Sequence, residues 1–193
     1  MVDIVIDESP IHHVNEYDGV LIFTNCYQVM SNGFQGEVVK EYPYVKEWNY
    51  KTKYGDPDKL GEILVCNEAN KPLFILCFTT FGYNFKGNEN DFFDYKALEK
   101  CLRVLNILYK GRNLATTMIG CTEYDGNADK KKILDIVNRE VKDFNLTLYD
   151  YHQESHQTMN QKNYYKNLKK RYERNKLKRN AEWKKSLTKI DDP

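Results

Sequence analysis

The sequence contains no apolar run approaching the roughly 20 residues that a bilayer span needs, and its opening "VDIVIDESP" puts no basic stretch ahead of an apolar one. A soluble, intracellular protein of the cytoplasm, without membrane contact, is therefore expected. Cysteine is sparse and scattered: Cys26, Cys66, Cys77, Cys101 and Cys121 form an odd set with no CxxC pair and no histidine at zinc-finger spacing. Several lie in apolar runs such as "ILVC" and "LFILC", so they read as reduced core thiols, and no metal site is expected. Two phosphate-binding signatures are missing as well. No GKS or GKT follows a glycine run, and no GxGxxG occurs, which argues against nucleotide binding by those routes.

What is present is enough for one ordinary core, since 41% of the 193 residues are hydrophobic. The formal net charge of +1 conceals a division. Residues 1–155 hold 17 basic and 24 acidic side chains, whereas 156–193 hold 12 and 4. The acidic body and basic tail are thus different kinds of segment. A bias toward Lys, Asn and Tyr suggests an AT-rich genome, such as that of a phage or a low-GC bacterium.

Within the body, short apolar runs bounded by turn residues occur at 3–6, 19–25, 61–67, 72–78, 114–120 and 146–151. About six strands are expected. Helical periods lie between several of them. Val38, Val39, Tyr42 and Val45 share one face of a helix over 33–49; Phe92, Phe93, Leu98, Cys101, Leu102, Leu105 and Leu108 mark a second over 92–109; Ile133, Leu134, Val137 and Val141 mark a third over 127–143. Alternating strands and helices, with several strands apolar on both faces, predict a three-layer α/β/α sandwich around a mixed, largely parallel sheet.

Ligands of such sheets bind beyond the carboxyl ends of the strands, where loops enter helix N-termini. Two loops meet that description. The first is "TNCYQVMSNGFQGEVVKEYP" (24–43), with Asn25 at a strand end and Gly33 and Gly36 ahead of a helix. The second is "GCTEYDGNADKKKI" (120–133), where Gly120 and Gly126 permit close backbone approach and Thr122 and Asn127 can cap. The amides of a following helix suit a phosphate or diphosphate. Either loop is equally readable as an ordinary turn that needs glycine.

The order of these features, with "TNC", "GFQG", "KEYP", "IGCTEYDG" and a last strand finishing "LYDYH", resembles the macro domain family over residues 1–152. The resemblance implies a six- or seven-stranded mixed sheet between helices and a cleft for ADP-ribose. It implies that Gly33, Phe34, Gly36 and Glu37 flank the diphosphate and distal ribose, with Gly120, Cys121, Thr122 and Gly126 closing from the other side. Asp7 is the match for an aspartate that bonds the adenine amine, and Tyr151, or alternatively Tyr149, for an aromatic beside the adenine. Neither a cofactor nor a metal is implied.

Members of the family either read ADP-ribose or hydrolyse its conjugates. Hydrolases that use two asparagines and an aspartate in a GVDGAIH-like helix start are poorly matched, because "GFQGEVV" supplies no Asp and "TNCYQ" supplies one Asn. Terminal ADP-ribose glycohydrolases and DNA-acting antitoxins are closer in length and loop style. In these a lysine after the fourth strand attacks the anomeric carbon; here Phe81 stands near that place and Lys86 further along. Phosphatase action on ADP-ribose 1″-phosphate needs less: Asn25 to orient the distal ribose and Asp125 to position water. Asp125 is also readable as a helix-start residue favourable to the dipole. His12 and His13 read as a solvated pair that could reach the cleft mouth, and His152 as a strand cap.

From Gln153 the chain lacks glycine and is rich in helix formers, so a basic helical extension is expected over 153–193, with one long helix near 160–188. Tyr165, Leu168, Tyr172, Trp183 and Leu187 form a partial stripe. The segment reads either as a solvated helix or as a contact for RNA or DNA over 160–189. Three functions stay open: an ADP-ribose-derivative hydrolase, a non-catalytic reader, and a nucleic-acid binder acting through the tail.

Overall fold

A computed structural model describes residues 1–6, 9–82, 93–119 and 128–150. Six strands form one sheet: β1 (Val2–Ile6), β2 (Gly19–Asn25), β3 (Ile63–Cys66), β4 (Phe74–Thr80), β5 (Asn113–Thr117) and β6 (Asn145–Asp150). Their order is β1-β6-β5-β2-β4-β3. Every pairing is parallel except β3 with β4. The exception follows from chain length, since the short turn after Cys66 cannot hold the dozen or more residues of a parallel crossover.

Among the described residues, four helices cover the sheet: α1 (Gly33–Glu41), α2 (Tyr44–Tyr50), α3 (Tyr95–Leu108) and α4 (Lys130–Glu140). The single helix expected over 33–49 is two. Tyr42, the residue before Pro43, leaves the helical region at φ −125° and ψ 73°, as a residue crowded by the following proline ring does. The apolar face nevertheless continues across the break, because Val38, Tyr44 and Val45 all enter one core. The other helices start later than the periodicity suggests. Asp94 and Asp129 accept hydrogen bonds from the amides of Ala97 and Lys132 and so fix the N-termini of α3 and α4.

The alternation of side chains along the strands divides the interior in two. Leu21, Ile75, Cys77, Leu114, Leu146 and Leu148 face α3 and α4. Val20, Ile22, Phe74, Leu76 and Phe78 face α1, α2 and a 3-10 turn over Pro10–Glu16. This is the three-layer arrangement expected, and it explains why β2 and β4 are apolar on both faces. The four described cysteines are free and buried, and burial pushes the Cys66 thiol up to about 12. Among the described residues, no helix is long and apolar enough to cross a membrane. The predicted basic helix after Gln153 lies outside the described residues.

Candidate functional site

Strands β2 and β5 are neighbours at the centre of the sheet, yet their pairing is confined to Gly19 with Leu114 and Val20 with Ala115. Beyond that point each stays with its other neighbour. β2 follows β4 as far as Asn25, and β5 follows β6 to Thr117, after which the Met118 amide donates to the Tyr149 carbonyl at 3.0 Å. The chain leaves β2 for α1 on one face, and α4, which follows β5 in the chain, lies on the other. Such a reversal opens a crevice at the carboxyl ends of the strands. A solvent-open depression lies there, lined by Ile22, Phe23, Phe34, Gln35 and residues Thr117 to Ile119.

Helix α1 brings its first turn to this crevice. Gly33 has a φ of 55°, a conformation glycine adopts without strain. A Cβ on Gly36 would lie 2.9 Å from the Ser31 carbonyl oxygen. Both glycines thus answer to the chain's own tight entry into the helix. At the N-cap, Asn32 makes no side-chain bond to the first-turn amides, so they keep donor capacity for another acceptor.

Of the residues expected to act, Phe34 packs into the core at 8% exposure while bordering the crevice. Glu37, one turn on, accepts from the Ser9 hydroxyl at 2.9 Å and ties α1 to the segment after β1. Asn25 folds onto its own loop. Its Oδ1 accepts from the amides of Tyr27 (3.0 Å) and Val29 (3.2 Å), and its Nδ2 donates to the Val29 carbonyl at 2.8 Å. One Nδ2 hydrogen is left for a ligand. Asp7, Gly120, Cys121, Thr122, Asp125, Gly126 and Tyr151 lie outside the described residues, as do Lys86, Asn127 and His152.

Tyr149 is buried, with its ring stacked by His13 at 6.0 Å and its hydroxyl 2.8 Å from that of Tyr17. His13 in turn lies 2.7 Å from Glu16. His13 is therefore half-buried in a packed cluster, whereas His12 is exposed as expected. Phe81 sits in an aromatic group, its ring 5.4 Å from that of Tyr27, whose ring meets that of Tyr54 at 5.2 Å.

Three residues carry roles that the sequence pattern did not announce. Gln35 donates through Nε2 to the Phe23 carbonyl at 3.1 Å and accepts from the Thr24 hydroxyl at 2.9 Å. Thr116 donates to the Leu21 carbonyl at 3.0 Å. Lys59 is 9% exposed, and its ammonium meets the Thr52 hydroxyl at 3.0 Å and the Phe78 ring face at 4.9 Å. Burial lowers the Lys59 pKa and pushes the neighbouring Cys26 thiol up to about 11, against the pull of the lysine's charge. Nothing in "GDPDKLG" distinguishes a buried lysine from a loop one, and Thr116 reads as an ordinary β-branched strand former.

A doubly flanked sheet with a crevice at its switch point defines an α/β class of fold, and the comparisons narrow it. No protein-family profile matches the chain. An uncharacterized 17.5 kDa protein of Enterobacteria phage T4, from its tk-vs intergenic region, is 29% identical over 110 residues, which is 54% of this chain and 69% of that one. A protein of unknown function from Bacteroides thetaiotaomicron superposes with a TM-score of 0.62 at 17% identity, over 78% of this chain and 98% of that one. The macrodomain of Mycobacterium tuberculosis DarG superposes with a TM-score of 0.54 at 14% identity, over 77% and 97%. Thermosipho africanus DarTG, solved in complex with ADP-ribose, does so at 0.56 and 16%, over 83% of this chain and 44% of its own. The chain has the macro domain fold.

Proposed function

We propose that the crevice between β2 and β5 binds ADP-ribose or an ADP-ribose derivative. The observation that carries this reading is the first turn of α1, whose amides receive no side-chain cap from Asn32 and border a crevice at the switch point of the sheet. A diphosphate there would accept from those amides and meet the positive end of the helix. The ADP-ribose complex of a protein that shares the fold supports the same choice of ligand. In this reading Gly33, Phe34, Gly36 and Glu37 flank the diphosphate and distal ribose, and Gly120, Cys121, Thr122 and Gly126 close over them. Asp7 and Tyr151 take the adenine. Titration calorimetry with ADP-ribose tests it: binding at micromolar ligand is expected, and no heat at high micromolar ligand rejects it.

Hydrolysis is the finer part of the proposal. Asp125 takes a proton from a water that attacks the terminal phosphorus of ADP-ribose 1″-phosphate, breaking the bond to the 1″ oxygen and releasing phosphate and ADP-ribose. Alternatively the water attacks the anomeric carbon of an ADP-ribosyl link, breaking its bond to the protein or DNA group, which leaves with a proton. Loop amides stabilise the negative charge on the phosphate oxygens. Asn25 orients the distal ribose with its remaining amide hydrogen. The expected result is release of phosphate from ADP-ribose 1″-phosphate, or of ADP-ribose from modified protein or DNA, reduced at least about a hundredfold in Asp125→Ala. Equal turnover in the variant removes Asp125 from the chemistry.

A reader without chemistry is the second reading. It is favoured by one observation: among the described residues lining the crevice, none is a carboxylate, imidazole or amine. Binding without turnover selects it. Contact with RNA or DNA through 160–189 is a separate proposal resting on the charge of the tail. Removing 156–193 is expected to weaken nucleic-acid binding, and unchanged affinity rejects the role.

A further inference from the structure

We infer that Gln35 and Thr116 are positioning residues that hold the crevice open by replacing the ladder bonds β2 and β5 give up where they part. Successive residues of a strand point their backbone groups to opposite edges. The Val20 amide donates to Leu73 on the β4 side, so the carbonyls of Leu21 and Phe23 face β5. The β2–β5 pairing ends at Val20 with Ala115, which leaves those two carbonyls without a strand partner. Both are nevertheless satisfied by side chains. The Thr116 hydroxyl reaches Leu21 at 3.0 Å, and the Gln35 amide reaches Phe23 at 3.1 Å. An unpaired buried carbonyl is costly, so these two donors allow the strand ends to stay ordered while apart.

Gln35 does more than fill an acceptor. Its Oε1 takes the Thr24 hydroxyl, so a single side chain from the first turn of α1 grips consecutive residues of β2. The direction in which the α1 amides present themselves to the crevice is thereby set from the floor. A carboxylate at this place could accept from Thr24 but could not donate to the Phe23 carbonyl. The choice of amide over acid at position 35 is thus explained by the seam itself. The consequence for ligand affinity rests on the proposed binding of ADP-ribose, whereas the consequence for the strand ends does not.

The test compares the full-length protein with Gln35→Leu, Gln35→Glu, Thr116→Val and Thr116→Ser by amide hydrogen exchange and ADP-ribose calorimetry. The loss of one hydrogen bond corresponds to about tenfold. Gln35→Leu, Gln35→Glu and Thr116→Val are expected to speed exchange at Thr24 and Met118, the bonded amides beside the parted ends, by about that factor, with Ile75 to Cys77 unchanged, and to weaken ADP-ribose by at least as much. Thr116→Ser, which keeps the hydroxyl, is expected to restore both. Exchange and affinity equal to the unmodified protein in Gln35→Leu and Thr116→Val overturn the inference, as does a failure of Thr116→Ser to restore them. An unmodified protein that binds no ADP-ribose rejects the ligand and leaves the seam to be judged by exchange alone. Should Thr116→Val not fold, the two Gln35 variants on the helix side carry the same comparison.

Discussion

Strand β2 treats its two neighbours differently. Against β4 it pairs from Val20 to Asn25, with one irregularity after Thr24, and Val20, Leu21, Ile22, Phe74, Ile75, Leu76 and Cys77 along that seam are buried. Against β5 it pairs at two positions and then departs, with side chains in place of the ladder. The same strand therefore closes one seam and leaves the other open, where the proposed ligand would bind. Parallel sheets of this kind have no exposed face to spare for a binding site, so the site must come from a parting of strands.

The largest effect is expected on the closed side. Leu76 of β4 is fully buried in the core beneath α1 and α2, and Leu76→Ala is expected to cost roughly 2–5 kcal/mol in chemical denaturation. The folded fraction should bind ADP-ribose as before. If affinity falls in proportion, the two seams are not independent.

On the open side, Gly36→Ala drives a methyl group to 2.9 Å from the Ser31 carbonyl. A loss of about 1–3 kcal/mol is expected from such overpacking, together with weaker ADP-ribose binding, because the first turn of α1 must shift. Full affinity in a destabilised Gly36→Ala protein would show that the turn's position does not matter to the ligand.

A smaller effect, of opposite sign, is expected at Lys59, which sits against Phe78 of the closed seam. Burial holds its pKa below the ordinary 10.5. Its charged form is thus disfavoured in the folded state at neutral pH, and stability from this group rises as pH climbs toward 10.5. Lys59→Met keeps the stem, and the Thr52 hydroxyl retains its bond to the Asn49 carbonyl at 2.7 Å. A gain of about 1 kcal/mol and loss of the alkaline rise are expected. A large loss in the melting temperature would mean that the ammonium is needed.

The smallest effect lies away from both seams, where α3 and α4 meet. Glu140 accepts from Arg103 at 3.0 Å and from Arg139 at 2.9 Å, and these bonds lower its pKa from 4.5 to about 2. A depressed carboxyl stabilises the fold fully above 4.5, and that contribution disappears as pH falls from 4.5 through 2. Glu140→Gln should flatten the acid limb of a stability curve slightly, because both arginines are largely solvated. An unchanged acid limb would assign the acid sensitivity to other carboxylates.

Much of this arrangement was written in local pattern. The run "GVLIFTN" coincides with β2 as observed, since a strand apolar on both faces needs no tertiary information to be recognised. The stripes of α3 and α4 likewise mark the buried faces, except at Leu108, which ends α3 exposed at 60% beyond the reach of the core, and the terminal shifts come from capping aspartates. The proline break at 43 was also local, but the continuous face of Val38, Val39, Tyr42 and Val45 outweighed it. Gly33 and Gly36 lie within the first turn of α1 and not ahead of it; Gly33 has the left-handed backbone, Gly36 lacks room for a Cβ beside Ser31, and both reasons are internal to the turn.

Residue order alone determined the number and alternation of elements, the double burial of β2 and β4, and the presence of a glycine-bearing helix entry after Asn25. These depend on spacing within a few residues, which period and turn chemistry record directly. Only the tertiary structure decided where β2 and β5 part, that Gln35 and Thr116 supply the missing donors, and that Lys59 is buried beside Cys26. Each of those rests on residues distant in sequence that meet across a sheet or over a loop. Local spacing records which side chains share a face, but it holds no trace of which backbone carbonyl a neighbouring strand will leave unpaired.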